Sequence, residues 1–366
     1  MLSNVRIERT ESPKTKPNPE KLGFGQYFTD HMLLMDYSAE QGWHDPRIVP
    51  YAPLTLDPAA MVFHYGQAVF EGLKAYRTAE GGAQLFLPER NAKRLNRSLE
   101  RMSMPKLEPG VLTEAIQALV GVDQDWIPEA EGTSLYIRPF IIATEAMLGV
   151  RASSSYLLAI VMSPVGAYFD GGLKPVDILV EPHDVRAVRG GTGAAKTAAN
   201  YAGGLKAQAA AKEAGCAQVL WLDALERKYV EEVGSMNVFF RIDGQVYTPV
   251  LNGSILEGVT RGAVIELLED WDVMFTARPL SIQELVQAAA NGTLEEAFGT
   301  GTAAVISPIG GIRWNGQLYP INGGQVGELS QKLYDTITGI QRGMVRDVYG
   351  WTVPAVAEQE ELRAGV

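Results

Sequence analysis

The chain of 366 residues holds a single cysteine, Cys216, and four histidines, His31, His44, His64 and His183. One thiol excludes an intrachain disulfide framework and a cysteine-based metal cluster. The histidines lack metal-ligand spacing, so no metal is expected. Positive charge is scarce as well: 32 Lys and Arg face 43 Asp and Glu, for a net charge of −11. Non-specific nucleic-acid binding requires basic stripes, so nucleic acid is not an expected partner. No apolar run approaches the ~20 residues of a membrane span. The opening stretch, MLSNVRIERTESPKTKPNPEKLGFG, lacks the apolar core of a secretory signal. The expectation is a cytoplasmic protein with a polar arm over 1–22 that becomes ordered near Leu22.

What is present is mixed. Residues 90–104 place Ala92, Leu95, Leu99 and Met102 at helical spacing with arginines between them, predicting a surface helix. LTEAIQALVGVDQDWI predicts a second helix ending near Gly121, and SLYIRPFIIAT and SSYLLAIVMSPV predict strands. The glycines and proline of 166–175 suggest a connection between two domains, 23–165 and 176–366. Beyond it, TAANYAGGLKAQAAAKEAG predicts one alanine-rich helix closed by Gly215, and a meander of short strands follows from QVLWLD to QVYTPVL. VTRGAVIELLEDW and SIQELVQAAANG predict helices, the latter with Ser281 as its N-cap. GQVGELSQKLYDTITGIQRG predicts a late helix before a polar tail after Val353. The fold class is mixed α/β, or α+β, with too many adjacent strands for a pure βαβ array.

The stretch RGGTGAAKTAANYA, residues 189–202, sets three glycines ahead of Lys196 and Thr197. A phosphate-binding P-loop needs glycine directly before its lysine, where this chain has Ala195. QVLWLD, ending in Asp223, could pass for a magnesium-holding strand, so a nucleotide site stays open as an alternative. The other chemistry is a Schiff-base lysine, whose amine must be held unprotonated in a pocket. The small residues around Lys196 would admit a flat aromatic ring, and Tyr201 would share its helix. Pyridoxal phosphate would further need a carboxylate for its ring nitrogen, a phosphate cradle and donors for a substrate carboxylate. Glu231 and Glu232 lie in an apolar strand, Gly258-Val259-Thr260 open a helix whose N–H groups favour phosphate, and Gly299–Ala303 form a Gly/Thr-rich bend. Each signal is common alone; their order together carries the argument.

The segments FHYGQAVFEGLKAYR, SLYIRPF, SPVGAYF, GGTGAAKTAANYAGG, QVLWLDALERKYVEEVGSMNVFF, ILEGVTR and FGTGTAAVISPI resemble the branched-chain amino acid aminotransferases, in order and over nearly the whole chain. These are pyridoxal-phosphate enzymes of fold type IV. The resemblance implies a small N-terminal α/β domain, a larger C-terminal pseudo-barrel domain, and a homodimer or higher oligomer. It implies interconversion of leucine, isoleucine or valine with their 2-oxo acids, paired with glutamate and 2-oxoglutarate. Lys196 would carry the cofactor, Glu232 rather than Glu231 would pair with its ring nitrogen, and Tyr201 would bond its phenolate oxygen. Arg94, Ser235, Val259, Thr260 and Thr302 would complete the cofactor site. For substrate, the resemblance implies an apolar pocket from Phe24, Tyr65, Phe70, Tyr168 and Tyr201, although core packing is the simpler account of Phe70. Arg138 beside Tyr136 would meet the glutamate γ-carboxylate, and the amides of Thr302 and Ala303 the α-carboxylate. Leu148 and Val150 would reach the neighbouring subunit's site. A C-x-x-C redox pair found in mammalian mitochondrial members is replaced here by Ala304 and Ser307, so that thiol switch is not expected. D-amino acid transaminases and aminodeoxychorismate lyases are the nearest rivals within the fold group.

Overall fold

The computed structural model describes residues 5–168 and 172–356. The chain divides into two compact units, one of Met1–Ala167, Ala195–Ala198 and Gly339–Val366, the other of Tyr168–Ala194 and Ala199–Thr338. The four residues around Lys196 and the C-terminal stretch from Gly339 therefore group with the N-terminal unit, although they lie within the range 176–366 read from sequence as the second domain.

In the first unit the chain runs through β1 (Arg6–Ile7), β2 (His31–Ser38), β3 (Gly42–Pro50), α1 (Val62–Tyr65), β4 (Ala68–Phe70), β5 (Leu73–Arg77) and β6 (Ala83–Phe86). Two helices, α2 (Pro88–Arg101) and α3 (Val111–Val122), precede the long strands β7 (Ser134–Ala143) and β8 (Ser155–Val165). The strands form one sheet in the order β1-β3-β2-β8-β7-β5-β6, with β4 paired to β7. Leu135, Ile137 and Ile141 alternate along β7 into a core shared with Leu95 and Leu99 of α2 and Leu112, Ile116 and Leu119 of α3. The opening arm is ordered well before Leu22. β1 pairs in parallel with β3, and the Thr10 N–H donates to Nε2 of the buried His31 at 2.9 Å.

The second unit contains β9 (Val176–Glu181), α4 (Ala198–Ala202), α5 (Leu205–Glu213), β10 (Gln218–Leu222), β11 (Val230–Val233), β12 (Asn237–Ile242) and β13 (Gln245–Thr248), α4 beginning on the last residue of the first unit's insert. It continues with α6 (Val259–Asp270), β14 (Phe275–Ala277), α7 (Ile282–Asn291), β15 (Leu294–Gly301), β16 (Val305–Trp314), β17 (Gln317–Pro320) and α8 (Glu328–Gln341), whose residues from Gly339 group with the first unit. The predicted alanine-rich helix is two helices, because Gly203 and Gly204 interrupt it and glycine is a poor helix former. The predicted meander forms, β10 pairing antiparallel with β11 and β12 with β13, within the sheet order β11-β10-β9-β16-β15-β12-β13-β14, with β17 on β16. An antiparallel bridge joins Val233 at the end of β11 to Met236 at the start of β12. Six strands thus curl back on themselves, giving the half-barrel of fold type IV. Ser281 caps α7, accepting from the Glu284 N–H at 3.1 Å. After α8, β18 (Thr352–Pro354) pairs with β6, so this part of the tail is a strand; 357–366 lie outside the described residues. Among the described residues no helix is long and apolar enough to cross a membrane.

Candidate active site

In the first unit, Lys196 is not on a helix. It lies in an extended segment that an antiparallel bridge between Thr197 and Val69 fastens alongside β4. The Phe70 N–H donates to the Lys196 carbonyl at 3.0 Å, the Lys196 N–H donates to Ser98 Oγ at 2.9 Å, and the Thr197 hydroxyl donates to the Ala68 carbonyl at 2.7 Å. Ala195 and Thr197 on either side are buried, leaving Lys196 half-buried with Nζ 4.5 Å from the Phe70 ring centroid. A backbone held at three points by its own unit aims the amine without a helix.

The predicted surface helix α2 buries one of its arginines. Arg94 is buried and gives two hydrogen bonds of 2.8 Å to Glu71, from Nε to Oε1 and from Nη2 to Oε2. Asn91 Nδ2 adds another to Oε2 at 2.8 Å. Burial alone would raise the Glu71 carboxyl, but the Arg94 charge and hydrogen bond, the Lys196 charge and the Asn91 hydrogen bond outweigh it and hold the acid below its ordinary value. Sequence reasoning passed over Glu71; an acid between Phe70 and Leu73 in an apolar strand region was the available signal.

On the same face of this sheet, Arg138 Nη2 donates to the Tyr136 hydroxyl at 2.8 Å, and the guanidinium lies 4.9 Å from the Phe70 ring. Phe70 thus faces two cations, a cation–π arrangement rather than plain core packing. Gly72 makes room for Tyr136: a Cβ there would lie 2.0 Å from the phenolic oxygen. Phe24, 49% exposed, meets the Tyr136 ring edge-on at 4.9 Å. Elsewhere in the unit, the Tyr65 hydroxyl donates to the Leu148 carbonyl, and Leu148 and Val150 are 73% and 86% exposed.

In the second unit, Glu232 is buried on β11. Its Oε1 accepts from the Leu256 N–H at 2.7 Å and its Oε2 meets Arg186 Nε at 2.8 Å. The cationic partner that a buried acid requires is thus supplied by the chain. Sequence reasoning missed Arg186. A small cleft is lined by Arg186, Asn200, Tyr201, Trp221, Gly234 and Ser235, which brings the predicted Tyr201 and Ser235 together. Gly193 is explained by close packing, since a Cβ there would lie 2.1 Å from the Ser254 carbonyl. That geometry serves backbone approach and removes the P-loop reading of the glycines.

Gly258 is the N-cap of α6, so Val259 and Thr260 carry N–H groups of its first turn, which have no intrahelical partner. Thr302 and Ala303 form the turn between β15 and β16, which ends on Val305 at φ 63°. A β-branched residue in the left-handed region is strained, as turns at functional sites often are. Tyr168, the first residue of this unit, is 47% exposed.

These donors suit a phosphorylated pyridine aldehyde. An ionised carboxylate offers about four acceptor positions, so the Arg186 and Leu256 bonds leave Glu232 compatible with a ring N–H. In the second unit the α6 terminus carries first-turn backbone N–H groups, which favour a phosphate.

The sequence model of class IV amino-transferases matches residues 68–312, two thirds of the chain. Two Bacillus subtilis (strain 168) proteins, branched-chain-amino-acid aminotransferase 2 and branched-chain-amino-acid transaminase 1, are 58% and 59% identical over 97% and 95% of this chain and 98% of each relative. The chain belongs to the branched-chain amino acid aminotransferase family. Among solved structures, the Escherichia coli branched-chain amino acid aminotransferase superposes with a TM-score of 0.74 at 25% identity, covering 89% of this chain and 99% of that one. The T.th. branched-chain amino acid aminotransferase, solved with pyridoxamine 5′-phosphate, gives 0.73 at 27%, covering 88% and 98%.

Proposed function

We propose that this protein transfers the amino group of L-leucine, L-isoleucine or L-valine to 2-oxoglutarate, and runs the reverse reaction, with pyridoxal 5′-phosphate as cofactor. The observation that carries the reading is the match at 58% and 59% identity to two branched-chain aminotransferases over almost their full length. The bound cofactor supplies an aldehyde that stores the amino group between the two half-reactions and a ring that accepts the electrons of the broken Cα–H bond.

Lys196 would carry the cofactor, and its Nζ would move the α-proton of the amino acid during each half-reaction. Glu232 would pair with the ring nitrogen and keep it protonated, with Arg186 beside its carboxylate. Tyr201 donates to the ring oxygen. Arg94, the Val259 and Thr260 amides and the Thr302 hydroxyl would hold the phosphate, with Ser235 also in the cofactor site. Phe24, Tyr65, Phe70, Tyr168 and Tyr201 receive a branched aliphatic side chain, whose burial contributes about 1.5–3 kcal/mol. Arg138, oriented by Tyr136, takes the γ-carboxylate of glutamate, and the Thr302 and Ala303 amides take the α-carboxylate. The exposed Leu148 and Val150 support a homodimer in which this loop lines the partner's site, since exposed apolar side chains of this size favour burial. The compartment that fits a chain with one thiol is the cytoplasm.

The test is a half-reaction. Protein loaded with pyridoxal phosphate is mixed with L-leucine or D-alanine, and the cofactor's visible absorbance is followed. Loss of the band with L-leucine alone supports the reading; loss with D-alanine alone contradicts it. Glu232→Gln should leave cofactor bound and cut turnover, and an unchanged rate would refute the role given to Glu232.

A further inference from the structure

We infer that Glu231 is a positioning residue, which holds the Asn252–Leu256 segment and, through it, Arg186 and Glu232; this rests on the reading that Glu232 faces the cofactor. Glu231 and Glu232 are neighbours on β11, so strand alternation points them to opposite faces. Both are nevertheless buried, and both grip one segment. Ser254 Oγ donates to Glu231 Oε1, Asn252 Nδ2 approaches the same oxygen at 3.4 Å, and the Leu256 N–H donates to Glu232 Oε1 at 2.7 Å. Arg186 closes the chain of contacts. Its Nη1 donates to the Ser254 carbonyl at 2.8 Å while its Nε meets Glu232 Oε2 at 2.8 Å.

The same segment leads into the start of α6. Asn237 Nδ2 donates to the Leu256 carbonyl at 2.8 Å, and a Cβ on Gly258 would lie 2.1 Å from Asn237 Oδ1. A shift of Ser254 therefore reaches the Arg186–Glu232 pair on one side and the Val259–Thr260 amides on the other. Glu231 itself is a costly residue for mere space-filling. Its Oε2 is buried and has no hydrogen-bond partner among the described residues. A buried polar atom without a partner disfavours the folded state, so the carboxylate's place is explained by what its other oxygen holds.

The experiment compares the parent with Glu231→Ala and Glu231→Gln, each stripped of cofactor and titrated with pyridoxal phosphate. The readouts are the dissociation constant, the pH midpoint of the bound cofactor's visible absorbance, and the thermal midpoint of the stripped protein. Glu231→Ala should weaken cofactor binding about tenfold or more and move the pH midpoint. Glu231→Gln, whose amide oxygen can still accept from Ser254, should restore both to near the parent's values. Ser254→Ala, which removes only the hydroxyl, should follow Glu231→Ala and keeps the question answerable where the larger truncation fails to fold. An alanine variant that binds within twofold of the parent with an unmoved pH midpoint overturns the proposal, as does a glutamine variant as impaired as the alanine one. A parent that takes up no pyridoxal phosphate overturns the functional reading itself; a defect confined to the variants cannot be confused with that result.

Discussion

Arg94 and Glu71 meet as a buried fork, two parallel hydrogen bonds of 2.8 Å joining a helix side chain to the loop after β4. Paired in this way, the two charges are compatible with burial; separated, either one is strongly destabilising.

Replacing Glu71 by Gln is accordingly expected to cost about 3–5 kcal/mol at neutral pH, since the arginine keeps its charge and loses its partner. The pH dependence has a definite sign. An acid held below its ordinary value of 4.5 contributes stability that is full above that value and is lost as pH falls through the folded-state value. Urea midpoints of parent and variant at pH 7 and below pH 4 should therefore converge in acid. Parallel curves would contradict the pairing.

Lys74 on β5 shows the opposite linkage. Burial first and the Arg342 charge second lower its pKa from 10.5 to about 8. Both folded and unfolded chains hold the proton below pH 8, so the burial penalty, roughly 3 kcal/mol, is fully present there. It is relieved between about pH 8 and 10.5, where the unfolded chain binds the proton more tightly. Lys74→Met should stabilise the protein at pH 7 and by less at pH 10. A gain independent of pH would show that the amine's charge is not the cause.

The Tyr136–Arg138 contact makes a prediction about substrate choice. Arg138→Ala should lower kcat/KM for glutamate at least about tenfold more than for leucine, because only glutamate presents a second carboxylate. Gly72→Ala, whose Cβ would lie 2.0 Å from the Tyr136 hydroxyl, should displace that ring and impair glutamate in the same direction. Equal losses for the two substrates would contradict the role of Arg138.

Local pattern made much of this legible. β7 and β8 follow from β-rich runs bounded by Gly, Ser and Pro, α7 from its serine cap, and the family from seven segments in order. The misreadings have one physical origin, in partners distant along the chain. Arg94 was read as a cofactor ligand, and its pairing with Glu71, 23 residues away, left no local signal. Arg186 carried no signal of its own until the fold set it against Glu232. Lys196 was placed on the helix of Tyr201, whereas the Thr197–Val69 bridge and the Phe70 N–H on its carbonyl hold it ahead of that helix. The meander from β10 to β13 was legible, whereas the entry of β9 and β16 into its sheet from elsewhere in the chain was not.

The central claim is that the Lys196 amine carries the cofactor. Reduction of the loaded protein with borohydride, followed by peptide mass spectrometry, tests it most directly. The account predicts a pyridoxyl group on the peptide containing Lys196, and none there in Lys196→Ala; a label on another lysine, or no label on protein that has bound pyridoxal phosphate, would contradict it.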